Sequence, residues 1–238
     1  MLNYKVNIIG VEKRKKLIIK LCNKLNLTNE NVIYDADQNG PLFSVIKALE
    51  ANKKRVAYTV LLQDDAWPCD DFYNICEMII CAHPNSIIGL FPFDFIDDEI
   101  VPIETSISPY YDVGILSGVG VIFPNKYSEK FIEFAKFSPY PREDDRTMAA
   151  FAKINNIEIL QTVPAVVQHI GDESILFKDG IIRRSNYFNV DMDVDWNSSQ
   201  INHLKYHSSL ERKIAEKVEW SKQYIKNLAK ERSQNNDK

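Results

Sequence analysis

Val60-Leu61-Leu62-Gln63-Asp64-Asp65-Ala66-Trp67-Pro68-Cys69-Asp70-Asp71-Phe72 is the stretch on which the fold class turns. An apolar run that reads as a buried strand stops at adjacent carboxylates, and a proline and a helix start follow. In open α/β sheets ligands bind just beyond the carboxyl ends of the strands, so acids there sit where a cation and its ligand would go. Two neighbouring carboxylates repel each other unless a cation or protons compensate, which points to a divalent metal. The plainer alternative is a solvated acidic turn leading into the next helix, with Asp70 or Asp71 as its cap. On this stretch alone the two readings are level.

The flanking sequence alternates strand and helix patterns. Residues 4–9 are rich in β-branched side chains and end at Gly10, as a strand would. Residues 13–25 place Leu17, Ile18, Leu21 and Leu25 at helical spacing. Residues 31–35 read as a short strand, 37–41 as a turn and 42–51 as a helix. Residues 56–62 form the strand that delivers Asp64 and Asp65. A helix over 71–81, a buried strand over 86–91, an acidic and proline-rich excursion over 92–112 and a strand over 114–123 come next. Ser117-Gly118-Val119-Gly120 in the last of these marks a close backbone approach or a bulge. Helices over 128–137 and 144–155 and a strand over 157–163 complete the series. This alternation predicts an α/β, Rossmann-like sheet, mixed but mainly parallel and flanked by helices, within a domain over residues 1–190. From residue 191 the texture turns polar and acidic, and a charged helix over 208–230 with one narrow apolar stripe forms an extension over 191–238. That stripe packs on its own domain or serves a homodimer contact. The tail over 232–238 reads as disordered.

The 238 residues, 45% apolar and 26% charged, suit a soluble globular protein with a sizeable core. The sequence shows neither a signal-peptide layout nor an apolar stretch of membrane-span length, so a cytoplasmic protein without a membrane partner is expected. A net charge of −4 gives no global pull toward nucleic acid. The basic clusters at 13–16, 53–55 and 183–184 read as solvated helix faces or loops. Cys22, Cys69, Cys76 and Cys81 have neither zinc-site nor disulfide-framework spacing, which suits reduced thiols.

Three further segments carry chemistry. Val166-Val167-Gln168-His169-Ile170-Gly171-Asp172-Glu173-Ser174 places a histidine just after a strand of the same presumed sheet. His169 is either a hydrogen-bonded core residue or a partner of Asp65 in holding a cation. An oxygen-plus-imidazole set with open positions for phosphate oxygens suits Mn²⁺ or Mg²⁺. Glu143-Asp144-Asp145 at a helix start either favours the helix macrodipole or supplies a general base, Asp144 or Asp145. Ser117-Gly118-Val119-Gly120 is the third.

Together these pieces resemble metal-dependent GT-A glycosyltransferases. Gln63-Asp64-Asp65 after a strand is similar to their acidic D-x-D-type motif, Glu143-Asp144-Asp145 to their downstream acidic motif, and Gln168-His169-Ile170-Gly171 to their C-terminal histidine segment. The likeness spans residues 4–180 and extends to small phage and bacterial glycosyltransferases. It implies a GT-A-like fold and transfer of a sugar from a nucleotide sugar, a UDP-sugar first among them, to an acceptor hydroxyl. The residue roles it implies are a metal bound by Asp65 and His169, support from Asp64, and an Asp144 or Asp145 base in an inverting reaction. Asp35 would hold the nucleobase or ribose, and Arg183 or Arg184 would fold over the diphosphate. Gln63 stands where the family pattern has an acid, so its contact with the nucleotide would be neutral. The acceptor would be a glycan, a protein or a hydroxymethylated base of phage DNA.

Two rival readings fit part of the sequence. A sugar-nucleotide nucleotidyltransferase would open with a glycine-rich basic loop after the first strand, and Ile9-Gly10-Val11-Glu12-Lys13-Arg14 has a single glycine. A non-catalytic assembly module built on the terminal helix would not depend on Asp65 or His169.

Overall fold

The structure is a computed structural model and describes residues 2–92, 109–112, 116–138, 140–171, 184–185, 187–188 and 194–203. Its centre is an eight-stranded sheet built from β1 (Tyr4–Gly10), β2 (Val32–Tyr34), β3 (Tyr58–Gln63), β5 (Ile87–Gly89), β6 (Tyr110–Asp112), β7 (Gly120–Pro124), β8 (Ile159–Thr162) and β10 (Asn202–His203). The spatial order is β10-β6-β8-β5-β7-β3-β1-β2, and a separate ribbon pairs β4 (Ala66–Pro68) with β9 (Val167–His169). Four pairings in the main sheet are parallel and three antiparallel. The expected fold class, a mixed and mainly parallel sheet flanked by helices, is what the chain adopts.

Alternation along the central strands feeds two cores. Val6, Ile8, Val60 and Leu62 face one side, where they meet α1 (Lys15–Leu25) and α3 (Phe72–Ala82) through Ile18, Leu21, Cys76 and Ile79. Ile9, Leu61, Val121 and Phe123 face the other, against α2 (Pro41–Asn52), α4 (Ser128–Ala135) and α5 (Asp144–Ile154) through Val45, Leu49, Phe131 and Phe151. Side chains pointing to opposite faces at successive positions make this three-layer arrangement possible. The helix boundaries have local causes. Asn26 ends α1 in the left-handed region at φ 51°, and Gly40 at φ 103° turns the chain into Pro41, the first residue of α2.

The route from β1 to β2 runs through α1 on one face, and the route from β2 to β3 returns through α2 on the other. The chain therefore reverses direction across β1, and a crevice opens beyond the carboxyl ends of β1 and β3, the usual ligand position in such sheets.

Several local expectations are corrected. Tyr110–Asp112 is a sheet strand, β6, within the stretch read as an irregular excursion. Asp71 stands at the start of α3 without a side-chain bond to its amides, and its carboxylate receives the Asn74 side chain at 3.0 Å instead. His169 belongs to the two-stranded ribbon rather than to the main sheet. Trp196 is buried in the α1/α3-side core, and β10 pairs with β6, so residues 194–203 pack as part of this unit. The charged helix over 208–230, the tail, Arg183 and residues 93–108 of the excursion lie outside the described residues. Among the described residues no helix is long and apolar enough to cross a membrane. Cys22, Cys69, Cys76 and Cys81 are all free, and burial pushes the Cys69 thiol up to about 11.

Candidate active site

The loops after β1, β2 and β3 enclose a cavity of about 510 Å³, a volume suited to a small-molecule ligand. Residues 9–14 form one wall. Asp35, Gln38, Gly40, Pro41 and Ser44 form a second, and Gln63, Asp64, Asp65, Arg142 and His169 complete the lining. The stretch that lacks a glycine-rich phosphate loop in sequence is thus nevertheless a cavity wall.

Asp64 and Asp65 leave β3 in different directions. One Asp64 oxygen accepts the Val11 amide at 3.0 Å and the other accepts the Arg14 guanidinium at 2.9 Å. Asp64 thereby clamps the loop after β1, and Gly10 is required beside it, because a Cβ there would lie 2.5 Å from the Asp64 Cβ. Asp65 turns toward the ribbon. Its Oδ2 lies 3.0 Å from His169 Nε2 and also accepts from Arg14, while its buried Oδ1 has no hydrogen-bond partner among the described residues.

The ribbon brings the histidine in. Ala66 stands opposite His169 in the antiparallel β4–β9 pairing, and the Ile170 amide donates to the Asp65 carbonyl at 2.8 Å. Gly171 allows the approach, since a Cβ there would lie 2.5 Å from Asp65 Oδ2. Gln168 ties in Ser185 twice, donating to its carbonyl at 2.9 Å and accepting its amide at 2.9 Å. Arg184 donates to the carbonyls of His169, Ile170 and Gly171. Its guanidinium therefore fixes the histidine segment.

Electrostatics separate the two acids. Burial raises the Asp64 carboxyl, and the bonds from Arg14 and Val11 only partly offset it. Burial acts on Asp65 in the same sense, but His169 and Arg14 outweigh it and hold that carboxyl below its ordinary value. Arg14, read in sequence as part of a solvated basic cluster, is instead only 15% exposed at its side chain and bridges both acids. Four consecutive basic residues at 13–16 carry no chemical mark showing which one points inward. The short 3-10 turn over Glu12–Arg14 selects it.

Asp35 is buried, and its two oxygens accept the Asn39 and Gly40 amides at 2.8 and 2.7 Å. It shapes the second wall, with both oxygens already engaged by its own loop. Gln63 lines the cavity. Asp144 and Asp145 do not line it. Asp144 nevertheless approaches Gln63 across Gly118, where a Cβ would lie 2.9 Å from Gln63 Nε2 and 3.0 Å from Asp144 Oδ2. Burial, with Asp145 alongside, pushes the Asp144 carboxyl well above the usual carboxylate range. Asp145 spends one oxygen on the Arg146 amide at 2.7 Å.

Among the described residues no group of three or more histidine, cysteine, aspartate or glutamate side chains is placed to hold a metal. The adjoining Asp65 and His169, with an orphaned Asp65 oxygen beside them, fit a cation that takes its remaining ligands from bound phosphate and water. They do not fit a cation enclosed by protein alone.

No protein-family model and no curated protein sequence matches this chain. Among solved structures, the catalytic domain of Drosophila beta1,4-galactosyltransferase 7 in complex with xylobiose is similar at 9% identity, over 71% of each chain, with a TM-score of 0.47. A mutant of that enzyme in complex with manganese, UDP-Gal and xylobiose gives 9% identity over 70% of this chain and 71% of the other, at 0.44. Residues 1–349 of S. aureus TarS give 14% identity over 68% of this chain and 59% of the other, at 0.46. All three TM-scores lie below 0.5, and these likenesses assign no role to any residue of this chain.

Proposed function

We propose that this chain is a glycosyltransferase that moves a sugar from a nucleotide-sugar donor, a UDP-sugar first among the candidates, to an acceptor hydroxyl. The observation that carries this reading is the meeting of Asp65 and His169 at 3.0 Å, from positions 104 residues apart, at the rim of a cavity beyond the carboxyl ends of parallel strands. A paired carboxylate and imidazole there suit a cation shared with a diphosphate.

In this reading Asp65 and His169 hold Mn²⁺ or Mg²⁺. When bound, that cation neutralises charge on the departing nucleoside diphosphate as a Lewis acid. Asp64 acts through structure: it fixes the loop after β1 that walls the donor cavity. Asp144 is the base in an inverting transfer. Its raised carboxyl is poised to take a proton near neutral pH, and it sits beside Gln63, a cavity residue. Asp145 is the weaker choice, because one of its oxygens is spent on the Arg146 amide. The glycan, protein and modified-base acceptors are separated by offering labelled donor to each and weighing the products.

The test is a thermal-shift panel of UDP- and GDP-sugars with Mn²⁺. One donor at a hundredfold excess over its Kd is expected to add about 2.7 kcal/mol, roughly 5–10 °C for a chain of this size. Asp65→Asn and His169→Ala are expected to abolish the shift while remaining folded. Asp144→Asn is expected to keep it and to lower turnover about 10²–10⁴-fold. A full panel without any shift overturns the reading.

A further inference from the structure

The Arg14 guanidinium stands where a cation bound to the acid pair would carry its charge. It donates to Asp64 Oδ1 at 2.9 Å and to Asp65 Oδ2, the same oxygen that meets His169 Nε2. One positive charge is therefore shared between both carboxylates and offsets only part of their charge. Asp65 Oδ1 is buried and lacks a hydrogen-bond partner among the described residues, so the acid pair is neither fully neutralised nor fully satisfied. An unpaired buried carboxylate oxygen is costly, and it marks the position from which a second cation would gain most.

Arg14 also lines the cavity, as do its neighbours Lys13 and Val11. An arginine is well suited to leave a carboxylate for a phosphate, because its planar fork matches both. We propose that Arg14 is an exchangeable counter-ion: it covers Asp65 in the ligand-free protein, moves to the diphosphate of the incoming nucleotide, and thereby opens Asp65 and His169 to the divalent cation.

This inference rests on the nucleotide-sugar reading above and adds an order to it. Cation and nucleotide bind as a coupled pair, since the protein by itself offers few ligands and guards one of them. By linkage, each tightens the other by the same factor. Arg14 is thus a positioning residue for cation entry.

The experiment measures free Mn²⁺ by electron paramagnetic resonance during titration of wild-type protein, Arg14→Gln and Arg14→Lys, with and without UDP. Wild-type protein is expected to bind Mn²⁺ weakly alone and at least about tenfold more tightly with UDP. Arg14→Gln is expected to bind Mn²⁺ alone about tenfold more tightly than wild type and to lose most of the UDP effect. Arg14→Lys keeps the charge without the fork and serves if Arg14→Gln fails to fold. It is expected to fall between the two. Wild-type Mn²⁺ affinity without UDP in the folded variants overturns the role of Arg14, even if UDP still binds. Absence of UDP binding to the wild type, with Mn²⁺ present, instead overturns the donor reading. The Mn²⁺-only comparison still decides whether Arg14 guards Asp65.

Discussion

Asp144 and Asp65 are both buried acids, yet their surroundings drive them in opposite directions, and this has consequences for stability. Asp144 is raised by burial and by Asp145. An acid raised in the folded state contributes stability below its ordinary pKa and loses it as pH rises through the folded value. Asp144→Asn is neutral throughout. Its melting temperature relative to wild type is therefore expected to climb between pH 5 and pH 8, which calorimetry at the two pH values measures. Asp65 is opposed by burial but lowered on balance by His169 and Arg14. Its contribution is present above the ordinary carboxylate pKa and fades only as pH falls through its lower folded value. The Asp65–His169 partnership was legible in the sequence, because an acid at a strand end and a histidine at another strand end are both chemically marked. Asp35 was read as a nucleobase or ribose contact, and its part as a loop clamp was not legible, because only the fold shows that the Asn39 and Gly40 amides reach it.

At the scale of elements, the β4–β9 ribbon is the device that makes the site. Each residue of Gln168-His169-Ile170-Gly171 has a distinct duty there: tying in Ser185, facing Asp65, bonding the Asp65 carbonyl, and leaving room for the Asp65 carboxylate. Gly171→Ala is expected to separate His169 from Asp65 and to cost most of the Mn²⁺-dependent nucleotide binding. It is also expected to lower the melting temperature, because Ala66 and Val167 of the ribbon belong to the α1/α3-side core. Titration calorimetry beside a melting curve checks this. The segment itself was visible in sequence, but its ribbon was not. Three-residue strands are too short for period-2 alternation to register, and a proline such as Pro68 argues against a central strand. Tyr110–Asp112 was hidden for a related reason, since prolines and acids dominate its surroundings. The long strands β1 and β3 and helices α1, α2, α3 and α5 were legible because their apolar spacing matches their geometry.

Across the whole molecule, polar side chains lock the sheet to its α2 face. Asn52 donates to Asn7 at 2.7 Å and to Thr59 at 3.2 Å, while Thr59 donates to Asn125 at 2.9 Å and Ser128 donates to the same Asn125 oxygen at 3.1 Å. Asn52→Ala leaves buried partners unpaired and is expected to cost about 1–3 kcal/mol, read from urea denaturation. The network escaped sequence reading because isolated asparagines in apolar segments resemble turn residues. At the opposite edge, Tyr110 donates to the Trp196 carbonyl at 2.5 Å, and His83 Nε2 lies 3.0 Å from the Ser198 carbonyl, so late sequence is stitched to the centre. The placement of Arg14 ahead of Asp64 and Asp65 in the sequence has a consequence for biosynthesis. Ribosomes deliver earlier residues first, at about 5–20 residues per second. The acids at 64 and 65 therefore emerge with their guanidinium companion already made, and wait about 5–20 s for the imidazole at 169. The counter-ion of the two carboxylates is thus available to the nascent chain before the imidazole is made.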